Sequence, residues 1–343
     1  MKFSLFFFAT GDAPTEQYRL LLDAARFADA EGLAAVWTPE RHFHEFGAPF
    51  PNPAVTGAAV AAVTGRVEVR AGSVVLPLHD PLRVAEEWAV VDRISGGRAG
   101  VALASGWNPQ DFVLAPEVFD RRKEVLREHL ADVRALWAGE TVTRTGPDGA
   151  SHRVRTHPRP VRGELPLWIT AAGSPATFGL AGELGTGVLT HLLGQSTADL
   201  AERLADYGTA LEEHGHPPQA ERVAVMLHTH LDHDPAAALD RARAPLKEYL
   251  RSSLDLFGLR RPETAPVGTA AEADLDDLLE IAFERFVPSC LIGSPETALP
   301  LVTELAELGV DEIACLIDFG LPTDQVLAGL QALAALNRAC SGL

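Results

Sequence analysis

The chain has 343 residues, 47% of them hydrophobic, and 29 Lys+Arg against 47 Asp+Glu give a formal net charge of −18. That balance argues against nucleic acid, whose phosphates need a basic footprint, and against a basic membrane-surface patch. Its apolar runs stop short of the ~20 residues that cross a bilayer, and the apolar start Phe3-Ser4-Leu5-Phe6-Phe7-Phe8 is too short for a secretory signal. Three widely spaced cysteines (Cys290, Cys315, Cys340) point to a reducing, cytoplasmic setting without a disulfide framework.

In chain order, Phe3–Ala9 reads as a buried strand. Thr15–Glu31 follows with Tyr18, Leu21, Leu22, Ala25 and Phe27 near helical spacing, and Gly32 ends it. Ala34–Trp37 is a second strand, and Thr38–Pro53 after it is longer than an ordinary connection. Strands Val67–Val75 and Ala99–Ala104 flank a helix, Pro81–Ile94, that closes at Ser95-Gly96-Gly97. Helix Phe119–Ala138 leads into Gly139–Gly163, which reads as a hairpin around Gly146-Pro147-Asp148-Gly149. Strands Leu167–Thr170, Gly187–Thr190, Val223–Leu231 and Glu312–Ile317 complete the set. They are interleaved with helices Thr197–Glu213 and Pro235–Leu256, an acidic helix Ala273–Phe286 inside the long stretch Gly258–Pro288, and a closing helix Thr323–Ala339.

Several of these strands are almost wholly apolar, as expected where both faces of a parallel strand are buried. Eight strands alternating with helices predict an α/β fold, a (β/α)8 TIM barrel, as one domain over 1–343 with insertions near 38–53, 139–163 and 258–288. A doubly wound sheet would want a Gly-rich phosphate loop after its first strand, and Ala9-Thr10-Gly11-Asp12 is not one.

In a barrel the strand C-termini form the catalytic face. Just past the second strand, Glu40-Arg41-His42-Phe43-His44-Glu45-Phe46-Gly47 offers groups for proton transfer and anion stabilisation within one short segment. His42-x-His44 also fits a metallohydrolase pair, but no further ligand is recognisable on later strands. His228-Thr229-His230-Leu231-Asp232-His233 has a zinc-hydrolase spacing, yet no histidine follows His233; period-2 geometry instead puts His228 and His230 on one face of their strand. We therefore assign no metal. Ala172-Gly173-Ser174-Pro175-Ala176-Thr177 opens a helix after Leu167–Thr170 and reads either as an ordinary Ser cap or as an anion site of backbone amides with Ser and Thr hydroxyls. Ile292-Gly293-Ser294-Pro295-Glu296 repeats the pattern and reads as structural. Ser105-Gly106-Trp107-Asn108 places a turn and a large aromatic on the catalytic face, either a wall for a planar ring or a Trp that covers the barrel top.

Together these segments resemble the bacterial-luciferase-like flavin monooxygenases over nearly the whole chain. The motifs that carry the resemblance are Glu40–Gly47, Val74-Val75-Leu76-Pro77-Leu78-His79-Asp80-Pro81, Asp92-Arg93-Ile94-Ser95-Gly96-Gly97-Arg98 and Ala171–Pro175. The ending Cys315-Leu316-Ile317-Asp318-Phe319-Gly320 is similar to members of polyketide and nonribosomal-peptide assembly lines, the mupirocin-type subgroup. The resemblance implies a barrel that takes FMN as FMNH2 from a separate flavin reductase, with O2 as co-substrate and a C4a-hydroperoxyflavin as the oxygenating species. It implies phosphate binding at Gly173, Ser174 and Thr177, and a non-prolyl cis peptide at Gly72-Ser73 against the flavin ring. His42 is then the candidate for managing the peroxide proton, with Arg41 and His44 orienting substrate or peroxide, and Ala104, Ser105, Gly106, Trp107, Thr190 and His191 lining the ring pocket.

The pattern departs from bacterial luciferase in two places. Arg41 stands where luciferase has the first of two histidines, and Ser105 where it has a phosphate-contacting arginine. An arginine cannot serve as a general base at physiological pH. Arg41, Arg98 and Arg121 are the candidates for balancing the phosphate charge. The expected substrate is a small molecule, free or tethered to a carrier protein; Arg153, Arg155, Arg159 and Arg162 read first as an exposed hairpin and second as a local basic patch for such a carrier. The expected assembly is a homodimer, and Gly258–Pro288 is a candidate lid. The rival readings are a deazaflavin (F420)-dependent hydride-transfer enzyme of the same fold, a metal-dependent hydrolase, and a non-catalytic flavin-binding subunit.

Overall fold

The computed structural model describes residues 1–8, 14–44, 47–217, 222–256 and 269–342. Eight parallel strands close on themselves: β1 (Lys2–Phe6), β2 (Ala35–Thr38), β3 (Glu68–Val75), β4 (Ala99–Ala104), β7 (Leu167–Thr170), β8 (Gly187–His191), β9 (Val223–Leu231) and β11 (Glu312–Leu316). They pair in that order, and β11 returns to β1 through the register Lys2↔Glu312 to Phe6↔Leu316. This is the (β/α)8 barrel that the strand count predicts. Ala9 of the expected first strand lies outside the described residues.

Helices cover the outside: α1 (Pro14–Glu31), α2 (Pro53–Val63), α3 (Pro81–Ser95), α4 (Arg122–Ala138), α5 (Pro175–Glu183), α6 (Thr197–Glu213), α7 (Pro235–Leu256), α8 (Thr269–Phe286), α9 (Pro295–Glu307) and α10 (Thr323–Ala339). Local chemistry sets their ends. The Asn52 side chain accepts the Ala54 and Val55 amides ahead of Pro53, Asp80 accepts the Leu82 amide ahead of Pro81, and Gly96 and Gly139 end α3 and α4 in the left-handed region. The stretch 139–163 does hold an antiparallel hairpin, β5 (Val142–Thr145) with β6 (Ser151–Val154). A short strand that sequence patterning misses, β10 (Leu291–Gly293), extends the pairing of β9 beyond the barrel wall at Thr229–Leu231.

The lower barrel interior is filled by a charged cluster that satisfies itself. Arg70 lies between the rings of Trp37 and Trp168, 4.7 and 4.6 Å from their centroids, and pairs with Glu312 and Glu68 at 2.8 Å each. Trp37 Nε1 donates to both Ser4 Oγ and Glu312 Oε1 at 3.0 Å. Burial alone would weaken Arg70's hold on its proton, but the two carboxylates outweigh it; in turn Arg70 and the hydrogen bonds from Ser4 and Trp37 hold Glu312 below the usual carboxylate range against its burial. Trp168 also needs a glycine beside it, since a Cβ on Gly187 would sit 2.5 Å from its ring. No described helix is long and apolar enough to cross a membrane. All three cysteines are free and buried.

Candidate active site

Because every barrel strand is parallel, the residues just past the strand ends gather at one rim. Trp168 points inward, so two-residue alternation and the pairing of β7 with β8 (Trp168↔Gly187, Thr170↔Leu189) put Thr170 and His191 on the inner face. Thr190 therefore faces outward. Its hydroxyl accepts from Gln195 Nε2 at 3.0 Å, so it holds Gln195 instead of lining the ring pocket, which corrects the expected pairing of Thr190 with His191.

On the opposite wall the peptide Gly72-Ser73 is cis, as the resemblance implies, and the β3–β4 register shifts between Gly72 and Val74. A Cβ at position 72 would lie 2.5 Å from the Phe6 ring, so only glycine leaves Phe6 and Trp37 their places beneath this ledge. Ala104, Ser105 and Gly106 continue the rim half-buried. Trp107 is 40% exposed, a rim residue more than an enclosed wall.

Glu40 is the buried centre of the segment after β2. Its Oε2 accepts the Val75 amide at 2.7 Å, and its Oε1 meets His42 Nε2 at 2.7 Å and His79 Nε2 at 2.6 Å. Burial would raise the Glu40 pKa, but the hydrogen bonds from His42 and His79, the His79 charge and the Val75 amide together hold it below the usual carboxylate range. Burial would likewise depress His79, and the hydrogen bond and charge of Glu40, with Glu87 behind them, carry it upward instead. The guanidinium of Arg41 lies 4.5 Å over the Phe8 ring, where burial weakens its proton hold and Tyr249 and Asp111 oppose that. His44 is half-buried beside Phe43, whose φ of 55° puts it in the left-handed region. Glu45 and Phe46 lie outside the described residues. Among the described residues, Glu40, His42 and His79 bring three potential ligand atoms within 4.8 Å. However, both nitrogens sit at hydrogen-bond distance from one oxygen, closer than the about 3.3 Å that separates neighbouring ligands on bonds of about 2.0 Å, and we assign no metal.

The third part of the rim is the start of α5. Ser174 is its N-cap, but its side chain makes no capping hydrogen bond, and no acid occupies the first turn. Ser174 is exposed, while Gly173 (φ 88°) and Thr177 are half-buried. Pro175 carries no amide proton, and the Thr177 amide turns back onto the Ser174 carbonyl at 2.9 Å, so of the first turn the Ala176 amide is the one left to a ligand. Arg203, on α6, donates to the Gly173 carbonyl at 3.2 Å and, paired with Asp206 at 3.5 Å, brings a guanidinium beside this terminus. Buried polar atoms that find no partner cluster in the same quadrant: Thr170 Oγ1, His191 Nδ1, Gln195 Oε1 and His228 Nε2. His228 is boxed by the rings of Tyr249, Phe286 and Phe319 at 4.3, 5.2 and 5.4 Å. Burial, with His191 adding to it, pushes His228 down to about 3, so it is a neutral imidazole. His230, expected on the same face, packs against Gly329 of α10.

Two of the three arginine candidates for the phosphate charge fall away on position. Arg98 precedes β4, so it sits at the opposite end of the barrel, donating to the carbonyls of Thr64 and Ser95. Arg121 is exposed and pairs with Glu124 and Glu128. Arg159 and Arg162 are spent on the Leu136 carbonyl and on Glu68 and do not form a free patch. Sequence reasoning missed His79 and Arg203, because each reaches its site from a distant segment; the one available signal was the position of His79 just past the end of β3.

A parallel barrel whose mouth combines an uncapped helix terminus, unpartnered inner-face polar groups and a glycine ledge has what a phosphate-bearing planar cofactor needs. These residues fit a flavin-type cofactor. The luciferase-like monooxygenase profile matches residues 1–312, and the chain belongs to that family. It is 25% identical over 345 residues, spanning 97% of this chain and 93% of the relative, to the oxygenase component of the flavin-dependent trigonelline monooxygenase of Acinetobacter baylyi. The fold is shared with the oxygenating constituent of 3,6-diketocamphane monooxygenase from Pseudomonas putida, a type II Baeyer-Villiger enzyme solved with FMN (TM-score 0.78, 19% identity, 98% and 97% of the two chains). It is shared too with an F420-dependent secondary alcohol dehydrogenase (TM-score 0.72, 18% identity, 98% of each chain).

Proposed function

We propose that the chain is the oxygenase of a two-component monooxygenase that receives reduced FMN from a separate reductase and places one atom of O2 on an organic substrate. The observation that carries this reading is the start of α5, where the Ser174 hydroxyl caps nothing and the Ala176 amide has no partner among the described residues, while the Thr177 and Phe178 amides donate to the Ser174 carbonyl at 2.9 and 3.3 Å. The Ser174 and Thr177 hydroxyls and the Ala176 amide would hold the phosphate, with the Arg203 guanidinium, shared with Asp206 at 3.5 Å, beside them. The inner-face groups Thr170 and His191 would meet the polar edges of the cofactor, and Gly72-Ser73 would carry its ring. Reduced flavin bound there supplies the electrons that activate oxygen.

The residues of the chain do the rest. Glu40 orients His42 through Nε2, which leaves Nδ1 of that ring to give or take a proton in the mouth. Arg41 remains cationic and orients an oxyanion or a carbonyl there. The aromatic box of Tyr249, Phe286 and Phe319 keeps water from the same space. The similarity of Cys315–Gly320 to assembly-line enzymes supports a biosynthetic intermediate, free or carrier-bound, as substrate.

The test follows reoxidation of reduced FMN by O2 with and without enzyme, together with release of free peroxide. Delayed reoxidation with peroxide withheld until substrate is absent or exhausted is the expected result. Reoxidation and peroxide release matching free flavin would reject the reading. The likeness to an F420 enzyme gives the rival its footing, and tight binding of reduced F420 with no response to oxygen would favour it.

A further inference from the structure

At the outer edge of the mouth two imidazoles share one oxygen. His42 Nε2 and His79 Nε2 both reach Oε1 of Glu40, at 2.7 and 2.6 Å, while Oε2 is fixed by the Val75 amide. Exposure grades outward along this row: the Glu40 side chain is 1% accessible, His42 12% and His79 31%. His79 opens on a groove lined by Asn52, Pro53, Val84, Glu87 and Trp88, whereas His42 faces the charges of Arg41 and Asp111. The two ring nitrogens lie within 4.8 Å of each other, so two imidazolium ions there repel while competing for a single acceptor.

We propose that His79 is a positioning residue for His42: through the shared oxygen of Glu40, proton uptake at the outer groove sets the charge that the imidazole in the mouth can hold. This rests on the role of His42 given above. The pinned carboxylate makes the link direct, because neither ring can take the full negative charge of Oε1 while the other holds it. The proton balance is simple. A proton bound at His79 raises the cost of a second one at His42, and loss of the first returns the oxygen to His42. The other titratable groups around the row are Glu87 on α3, itself held by Arg83 at 2.9 Å, the capping Asp80, His129 of α4 across the Leu76 carbonyl, and on the mouth side Arg41 and Asp111. None of these groups reaches Oε1 of Glu40, which leaves His42 and His79 as the pair that shares it.

The experiment uses the full chain with carbon-13-labelled histidine and follows the ring signals by NMR from pH 5 to 9, without flavin. In His42→Asn the midpoint of His79 should rise by at least half a pH unit, because Oε1 then has one charged claimant; in Glu40→Gln it should fall. Coupling is reciprocal, so in His79→Asn, assayed with reduced FMN and oxygen, the acid limb of the pH profile for peroxide leakage should move up by a similar amount. His79→Gln provides a second neutral donor should the Asn variant fold poorly. An unchanged His79 midpoint in His42→Asn, or a His79 variant that lowers the rate at every pH without moving the limb, overturns the proposal. The NMR arm needs no flavin, so it stands or falls apart from the oxygenase reading.

Discussion

Two regions of this barrel treat their polar groups in opposite ways. In the lower interior, Arg70, Glu312, Glu68, Ser4 and Trp37 satisfy one another. In the mouth, Thr170, His191, Gln195 and His228 each keep a buried polar atom without a partner. Unpaired buried polar groups cost stability, and their concentration in the mouth supports the cofactor site proposed above. The same contrast recurs in two helix starts of one pattern, Gly173-Ser174-Pro175-Ala176-Thr177 and Gly293-Ser294-Pro295-Glu296-Thr297. At α9 the Ser294 hydroxyl donates to Glu296 at 2.7 Å, and the Ser294 amide donates to Thr297 Oγ1 at 2.8 Å in a closed capping box. At α5 there is alanine where α9 has Glu296, and the serine side chain caps nothing. The closed copy builds the fold, and the open one is available to an anion.

The contrast can be broken at its strongest point first. Arg70→Leu strands the buried Glu312 carboxylate, while Glu68 keeps Arg162 at 3.0 Å, and should cost roughly 3–5 kcal/mol, read as a large fall in melting temperature. Next, Ala176→Glu gives α5 the carboxylate of α9. It should weaken FMN binding by roughly 10–100-fold, the worth of about 1.5–3 kcal/mol for hydrogen bonds to a charged group, while leaving the melting temperature equal or higher. Ser294→Ala should cost about 1 kcal/mol of stability and leave FMN affinity alone, whereas Ser174→Ala should do the reverse, since its side chain caps nothing. The smallest effect concerns pH. His79 is raised from its ordinary 6.5 by Glu40 against its burial. The stability it contributes is complete below about pH 6.5 and is lost as the pH climbs through its elevated native value. His79→Asn should flatten that slope in pH-dependent melts.

Much of this was legible before any coordinates. The eight barrel strands announce themselves as short apolar runs between helical patterns, and the hairpin after α4 by Gly146-Pro147-Asp148-Gly149. The Ser174 loop was visible too, but not whether the serine caps or stays open, because Ser174 and Thr177 match Ser294 and Thr297, the pair that closes the box at α9. What pattern reading could not deliver is pairing across distance. Arg203 meets Gly173 from 30 residues on, and His79 meets Glu40 from 39. Thr190 and Arg98 were misassigned for simpler reasons. Neighbours on a strand face opposite sides, and a residue that precedes a strand sits at the wrong end of the barrel.

The most direct test of the open terminus compares the affinities of FMN and riboflavin for the wild type and Ala176→Glu, by flavin fluorescence at fixed ionic strength. The wild type should prefer FMN by at least tenfold, and the variant should bind the two nearly alike. A wild type that binds riboflavin as tightly as FMN, or a variant that keeps the full preference, would contradict the account.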